Sequence, residues 1–129
     1  MLTKTIDLII RLKNGYMARN ERIAVPYSKM NMDVLNILKN EHYIDNFELT
    51  EEGPKKYVFV DLLYDNGDPV LTDVKIVSKP GKRLYTKVKE FKLVLGGVGI
   101  GVVTTSQGIM TQSEARKKNI GGEILFKVW

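Results

Sequence analysis

Apolar and polar positions repeat with two periods along this chain, and the places where the period changes outline its elements. Ile6, Ile9 and Ile10 fall at helical spacing, with Lys13 and Met17 a turn further on. This predicts a helix over residues 3–13 that buries that face and ends near Asn14-Gly15 or slightly later. Ile23-Ala24-Val25 reads as a short strand stopped by Pro26, and Ser28 is placed to cap a second helix with Met30, Val34, Ile37 and Leu38 inward. Beyond Tyr43 the period shortens to two. Ile44, Phe47 and Leu49, the turn Glu51-Glu52-Gly53-Pro54 and the run from Tyr57 to Tyr64 predict two antiparallel strands.

Asp65-Asn66-Gly67-Asp68-Pro69 is the densest turn signal in the chain. It suggests an α+β fold of two small domains, residues 1–66 and 67–129. The first is helix, strand, helix and antiparallel strands. The second is mainly β, with strands at Val74–Ser78, Leu84–Thr86, Val102–Thr105 and Glu123–Trp129 and a Lys79-Pro80-Gly81 turn. One short helix interrupts it, opened by a capping box of Thr111 with Glu114 and closed over Asn119 to Gly122.

At 129 residues, 43 % of them hydrophobic, the chain can bury a core without staples, and it has no cysteine for disulfides or thiolate metal sites. Lys4, Asp7 and Arg11 interrupt the apolar start, and no long apolar run follows. The expectation is a soluble, unprocessed, cytoplasmic protein with no membrane partner.

The charge changes the picture more than the net value of +5 suggests. Residues 1–40 sum to +4, residues 41–73 to −7 and residues 74–129 to +8. Two basic stretches flanking an acidic middle suit a surface for a polyanion, because clustered cations displace condensed counterions. A solvated face is the other reading. Lys75, Lys79, Lys82, Arg83, Lys87, Lys89 and Lys92, interleaved with Tyr85, form the densest basic run, and Lys4, Arg11, Lys13 and Arg19 a weaker set.

Candidate chemistry is sparse. Gly96-Gly97-Val98-Gly99-Ile100-Gly101 lacks the spacing and the lysine of nucleotide loops. Gly99 and Gly101 on one strand face instead suggest a close backbone approach or a bend. His42 is the only histidine and sits at a helix end beside Glu41 and Tyr43, which suits a surface residue better than a catalytic triad. Glu48, Glu51 and Glu52 gather at a hairpin turn without metal-ligand spacing. No enzyme, cofactor, metal or small-molecule substrate is expected. Thr104-Thr105-Ser106-Gln107-Gly108 presents hydroxyls, an amide and a permissive glycine that can bond phosphate, ribose and base edges. The same residues can also form a turn that caps itself.

The runs Ile76–Tyr85, Gly96–Ile100, Val103–Thr111, Glu114-Ala115-Arg116 and Gly121–Leu125, with Asp7–Gly15, Val25–Lys29 and Val34–Lys39, resemble the small-subunit ribosomal protein S-eight family. The resemblance covers essentially the whole chain, although residues 47–74 share only the pattern. It implies a structural constituent of the small subunit, a primary rRNA-binding protein that docks on the central domain of 16S rRNA and helps assemble the platform. It implies that Thr104, Thr105, Ser106, Gln107 and Gly108 enter a distorted RNA helix, that Glu123 supports them, and that Lys13, Asn14, Ser28 and Lys29 add a second contact. With the basic segment Lys79, Pro80, Gly81, Lys82, Arg83 and Tyr85, these are the expected RNA-binding residues. Further implied partners are neighbouring proteins such as S-five and S-twelve and, in some bacteria, the protein's own messenger RNA. Thr104 stands where serine is commoner, Gln107 where a basic residue is usual, and Phe126 and Lys127 where many relatives have cysteine and tyrosine. The rival reading is a nonribosomal protein-interaction module working through the acidic hairpin, residues 45–65.

Overall fold

A computed structural model describes residues 2–92 and 97–129, which divide into two compact units, Met1–Thr72 and Asp73–Trp129. Its mixture of helices and antiparallel sheets is an α+β fold. Among the described residues no helix is long and apolar enough to cross a membrane.

In the first unit, helices α1 (Leu2–Met17) and α2 (Lys29–Asn40) accompany a three-stranded antiparallel sheet ordered β1-β3-β2. Its strands are β1 (Arg22–Pro26), β2 (Asn46–Glu52) and β3 (Lys55–Asp61). The face that α1 buries is rotated from the one the isoleucines suggest and shares only Ile9 fully with it, Ile6 being half-buried. Leu2, Leu8, Ile9, Leu12 and Tyr16 are inside, whereas Ile10 is 46 % and Met17 72 % exposed. Two apolar stripes compete on this helix, and the one continued by leucines and Tyr16 wins because no charge interrupts it. The helix runs through Gly15, whose missing side chain is used in packing: a Cβ there would lie 2.7 Å from Ile23 Cγ2. On α2, Val34, Leu35 and Leu38 are fully buried, and Met30 and Ile37 only partly.

Tyr16 ties the unit together. Its hydroxyl donates to the Tyr43 carbonyl (2.7 Å) and accepts from the Leu63 amide (3.0 Å). Burial pushes its pKa up to about 12, so it stays a neutral donor. The run expected as one strand to Tyr64 divides: β3 ends at Asp61, and β4 (Tyr64–Asp65) pairs with β5 (Asp68–Pro69). Between them Asn66 and Gly67 both have positive φ (52° and 85°), as a two-residue hairpin turn requires.

Among the described residues, α1, α2 and the α-helix Gln112–Lys117 of the second unit stop in the same way. Arg19, His42 and Asn119 adopt positive φ, and each helix end carries the paired 6→1 and 5→2 hydrogen bonds that satisfy its last carbonyls. His42 is therefore a helix-terminating residue, its amide bonded to Lys39 and that of Tyr43 to Leu38.

The second unit is a five-stranded antiparallel sheet centred on β10 (Gly122–Val128). β10 pairs with β6 (Val74–Ile76), β7 (Tyr85–Thr86) and β8 (Ile100–Thr105), and β8 pairs with β9 (Gly108–Thr111), a strand the apolar pattern leaves unmarked. The capping box of Thr111 and Glu114 opens α3 (Gln112–Lys117). Val103, Met110 and Ile124 from the sheet, Ala115 from α3 and Phe91 form a core on one face. Gly99 precedes β8 rather than sharing a strand face with Gly101, and Gly101 accommodates the Gln112 side chain instead of another backbone. Gly96, at the head of that glycine run, lies outside the described residues.

Candidate nucleic-acid interface

The hydroxyl run spans the end of β8, a two-residue tip and the start of β9, because Thr105 and Gly108 close the hairpin as cross-strand partners. Gly108 takes φ 112°, which a side chain would oppose. Thr105 Oγ1 donates to the Gly108 carbonyl (2.9 Å) and accepts from the Gln107 amide (3.0 Å). Its one donor proton is thus used in shaping the turn. Ser106, Gln107 and Gly108 are exposed, and Thr104 is half-buried. The turn does cap itself, through Thr105, and in doing so it holds Ser106 and Gln107 outward.

Register sets the neighbours of this hairpin. Glu123 lies opposite Thr104 on one side and Tyr85 on the other, so the three form a row on one face of the sheet. Gly122 allows the strands this proximity, since a Cβ there would run into the Thr104 carbonyl oxygen; at Gly121 it would lie 2.6 Å from the Thr86 carbonyl oxygen. Glu123 is 1 % exposed, and its carboxylate is held in a two-point ion pair by Arg83: Nε meets Oε2, and Nη2 meets Oε1 at 2.8 Å. Hydrogen bonds from Arg83 hold its pKa below the usual glutamate range, against the opposing effect of burial. The carboxylate is thus engaged by Arg83 rather than by the hairpin tip.

Ser78 fixes the basic turn. It is fully buried, donates to the Ile124 carbonyl (2.6 Å) and accepts from the Leu84 amide (3.0 Å). Lys79 and Lys82 exchange backbone hydrogen bonds of 2.9 Å, closing a turn over Pro80 and Gly81. Lys79, Pro80, Gly81, Lys82 and Arg83 are consequently exposed on a short rigid loop, with Tyr85 77 % exposed beyond it. Sequence reasoning did not identify Ser78, although a serine just before a basic turn is the available signal.

The four first-unit positions are not brought together. Asn31, in the first turn of α2, bonds Thr5 (2.8 Å) and the Lys4 carbonyl (3.2 Å), so the start of α1 lies beside the start of α2. Lys13 and Asn14 are nine residues further along α1, about 13 Å away at 1.5 Å per residue. Ser28 is buried and uses its hydroxyl on the Asn31 amide as helix cap (3.0 Å); Lys29 is exposed, 3.8 Å from Asp33. Two residues before Lys29, the Tyr27 carbonyl is reached by Lys4 at 3.4 Å and the Tyr27 ring is covered by Lys56 at 5.5 Å.

The acidic hairpin carries less free charge than its composition implies. Arg22 pairs with Asp61 (2.7 Å) and Glu48 (3.8 Å), and Lys56 with Glu51 (3.8 Å). Among the described residues no group of three or more His, Cys, Asp or Glu is arranged to hold a metal.

Comparison with known proteins fits these features. The family model described as Ribosomal protein S8 matches residues 4–129. The chain is 48 % identical over 123 residues to the small ribosomal subunit protein uS8 of Dictyoglomus thermophilum, covering 95 % of this chain and 94 % of that protein. The same-named proteins of Trichodesmium erythraeum and Alkaliphilus oremlandii are 46 % and 41 % identical, each covering 95 % of this chain and 94 % of the relative. The chain belongs to the ribosomal protein S8 family, as a structural protein of the small ribosomal subunit.

Proposed function

We propose that this protein is a primary rRNA-binding protein, which binds the central domain of 16S rRNA and helps build the platform of the subunit beside neighbours such as S-five and S-twelve. The observation that carries the reading is the row Tyr85, Glu123, Thr104, with the outward Ser106-Gln107 tip at one end and the exposed Lys79–Arg83 turn tied to it through the Arg83–Glu123 pair. Charge and shape do different work here. Lys79, Lys82 and the outer face of Arg83 attract phosphate without regard to sequence. Ser106, Gln107 and the Thr104 side chain offer donors and acceptors suited to 2′-hydroxyls and base edges in an irregular helix. Thr105 acts as a positioning residue for that tip. Lys13, Asn14 and Lys29 belong to the proposed surface as first-unit contacts, with Ser28 supporting Lys29 through the helix cap.

The test is competition between a 16S central-domain fragment and ordinary duplex RNA. Replacing Thr105 and Ser106 together by alanine is expected to reduce discrimination by about tenfold, the scale of one lost specific contact, while nonspecific affinity stays within about twofold. Unchanged discrimination would remove the hairpin from the selecting role.

A further inference from the structure

The basic run from Lys75 to Lys92 is continuous in sequence but not in space. β10 carries a bulge: its register against β8 shifts between Ile124 and Phe126. Residues four apart on a regular strand share a face, yet here Lys127 comes to lie opposite Glu123's face, on the side of Val103 and Ile124. Lys75 is the direct cross-strand partner of Lys127 on that same side. An open hollow beside them is lined by Lys89, Lys92 and Lys127 over Phe91, with Glu90 the one acid at its edge. Among the described residues no carboxylate pairs with any of these four lysines. Like charges directly opposite each other on neighbouring strands destabilise a sheet. The fold nonetheless gathers four here.

We propose that Lys75, Lys127, Lys89 and Lys92 form a second phosphate-binding surface, which takes the backbone of an RNA segment different from the one at the hairpin tip. The proposal rests on the RNA reading above, and it uses none of the residues given a selecting role there. Lys127 is about 13 Å along β10 from Glu123 and on the other face, too far for one phosphate to engage both. An RNA backbone suits this surface better than an acidic peptide. The lysines are point charges around a hollow whose apolar floor, Phe91 and Ile124, already belongs to the core, an arrangement suited to the evenly spaced charge of a phosphate backbone.

The experiment uses the full chain and a 16S rRNA transcript. Because the protein has no cysteine, Thr86→Cys at the hollow and Ile109→Cys beside the hairpin tip each give one attachment point for an iron–EDTA cleavage probe. Cleavage from the two positions is expected in two different RNA segments. The double variant Lys75→Gln/Lys127→Gln is expected to lower the slope of log affinity against log salt by about two units and to keep the preference for 16S over duplex RNA. It should unfold at the parent's temperature or slightly above it in low salt, because a repulsion has been removed. Cleavage only from position 109, or an unchanged salt slope, overturns the second surface and leaves the RNA reading standing. No cleavage from either position overturns both. Lower thermal stability would mean that the lysines serve the fold. Polyglutamate binding that disappears in the double variant, with rRNA binding intact, would assign the surface to an acidic protein segment instead.

Discussion

The two units treat their cations in opposite ways. In the first, Arg11 is held by Asp7 and the Ala24 carbonyl, Arg19 by the Gly67 carbonyl, Arg22 by Asp61 and Glu48, and Lys56 by Glu51. In the second, Arg83 and Arg116 have protein partners, while Lys79, Lys82, Lys87 and the lysines of the opposite face have none among the described residues. Arginine, with its planar fork, is used here to join strands and turns; lysine, a strongly hydrated point charge, is left at the surface. Counting positive residues therefore overstates the first unit as an RNA surface and understates the second.

The largest test of this contrast replaces matched pairs. Lys79→Gln/Lys82→Gln should lower the salt slope of rRNA binding by about two units and the affinity several tens of fold near 0.1 M salt. Arg11→Gln/Arg22→Gln should leave the slope unchanged and lower the unfolding midpoint instead. Filter binding across a salt series with parallel urea denaturation separates the outcomes, and a slope that falls equally in both variants would erase the distinction. Next in size, Tyr16→Phe leaves the Tyr43 carbonyl and Leu63 amide without their shared partner, at a cost of about 1–3 kcal/mol in chemical denaturation. Since the lesion is confined to the first unit, contacts probed from position 109 should persist. The smallest effect concerns acid. Glu123 has a depressed pKa in the folded state, so its stabilisation is present above its unfolded value of about 4.3 and is lost as pH falls through the lower folded value. Urea midpoints of Glu123→Gln should lie below the parent's near neutrality and converge with them as pH falls below the usual glutamate range. A constant offset across that range would show that the ion pair is not the source.

Local chemistry was legible where a single residue decides the geometry. The Ser28 cap, the Thr111–Glu114 box, the Asn66-Gly67 turn and the helix-end role of His42 all follow from side-chain preference and appear in the structure. Choices that depend on a distant partner were not legible. Ile6, Ile10 and Met17 offer as good a stripe as Leu8, Leu12 and Tyr16 until the sheet and α2 select one. Gly15 reads as a stop until Ile23 is seen against it. The hairpin tip was found from its hydroxyls, but the internal hydrogen bonds of Thr105 depend on the folded turn, and the burial of Ser78 under the basic turn depends on a strand distant in sequence. A two-residue period also cannot reveal that Glu123 and Lys127 face opposite ways, because the extra residue at Leu125 looks like any other leucine.

That bulge also has a mechanical meaning. Glu123 and Lys127 are fixed on one continuous strand, so with RNA on both faces the spacing of the two segments is set by a pleated backbone and not by a flexible tether. Capture of the first segment would then present the second surface at one distance and one orientation, and the local concentration it experiences would not be diluted by linker motion. In this light the second unit acts as a rigid spacer between RNA segments.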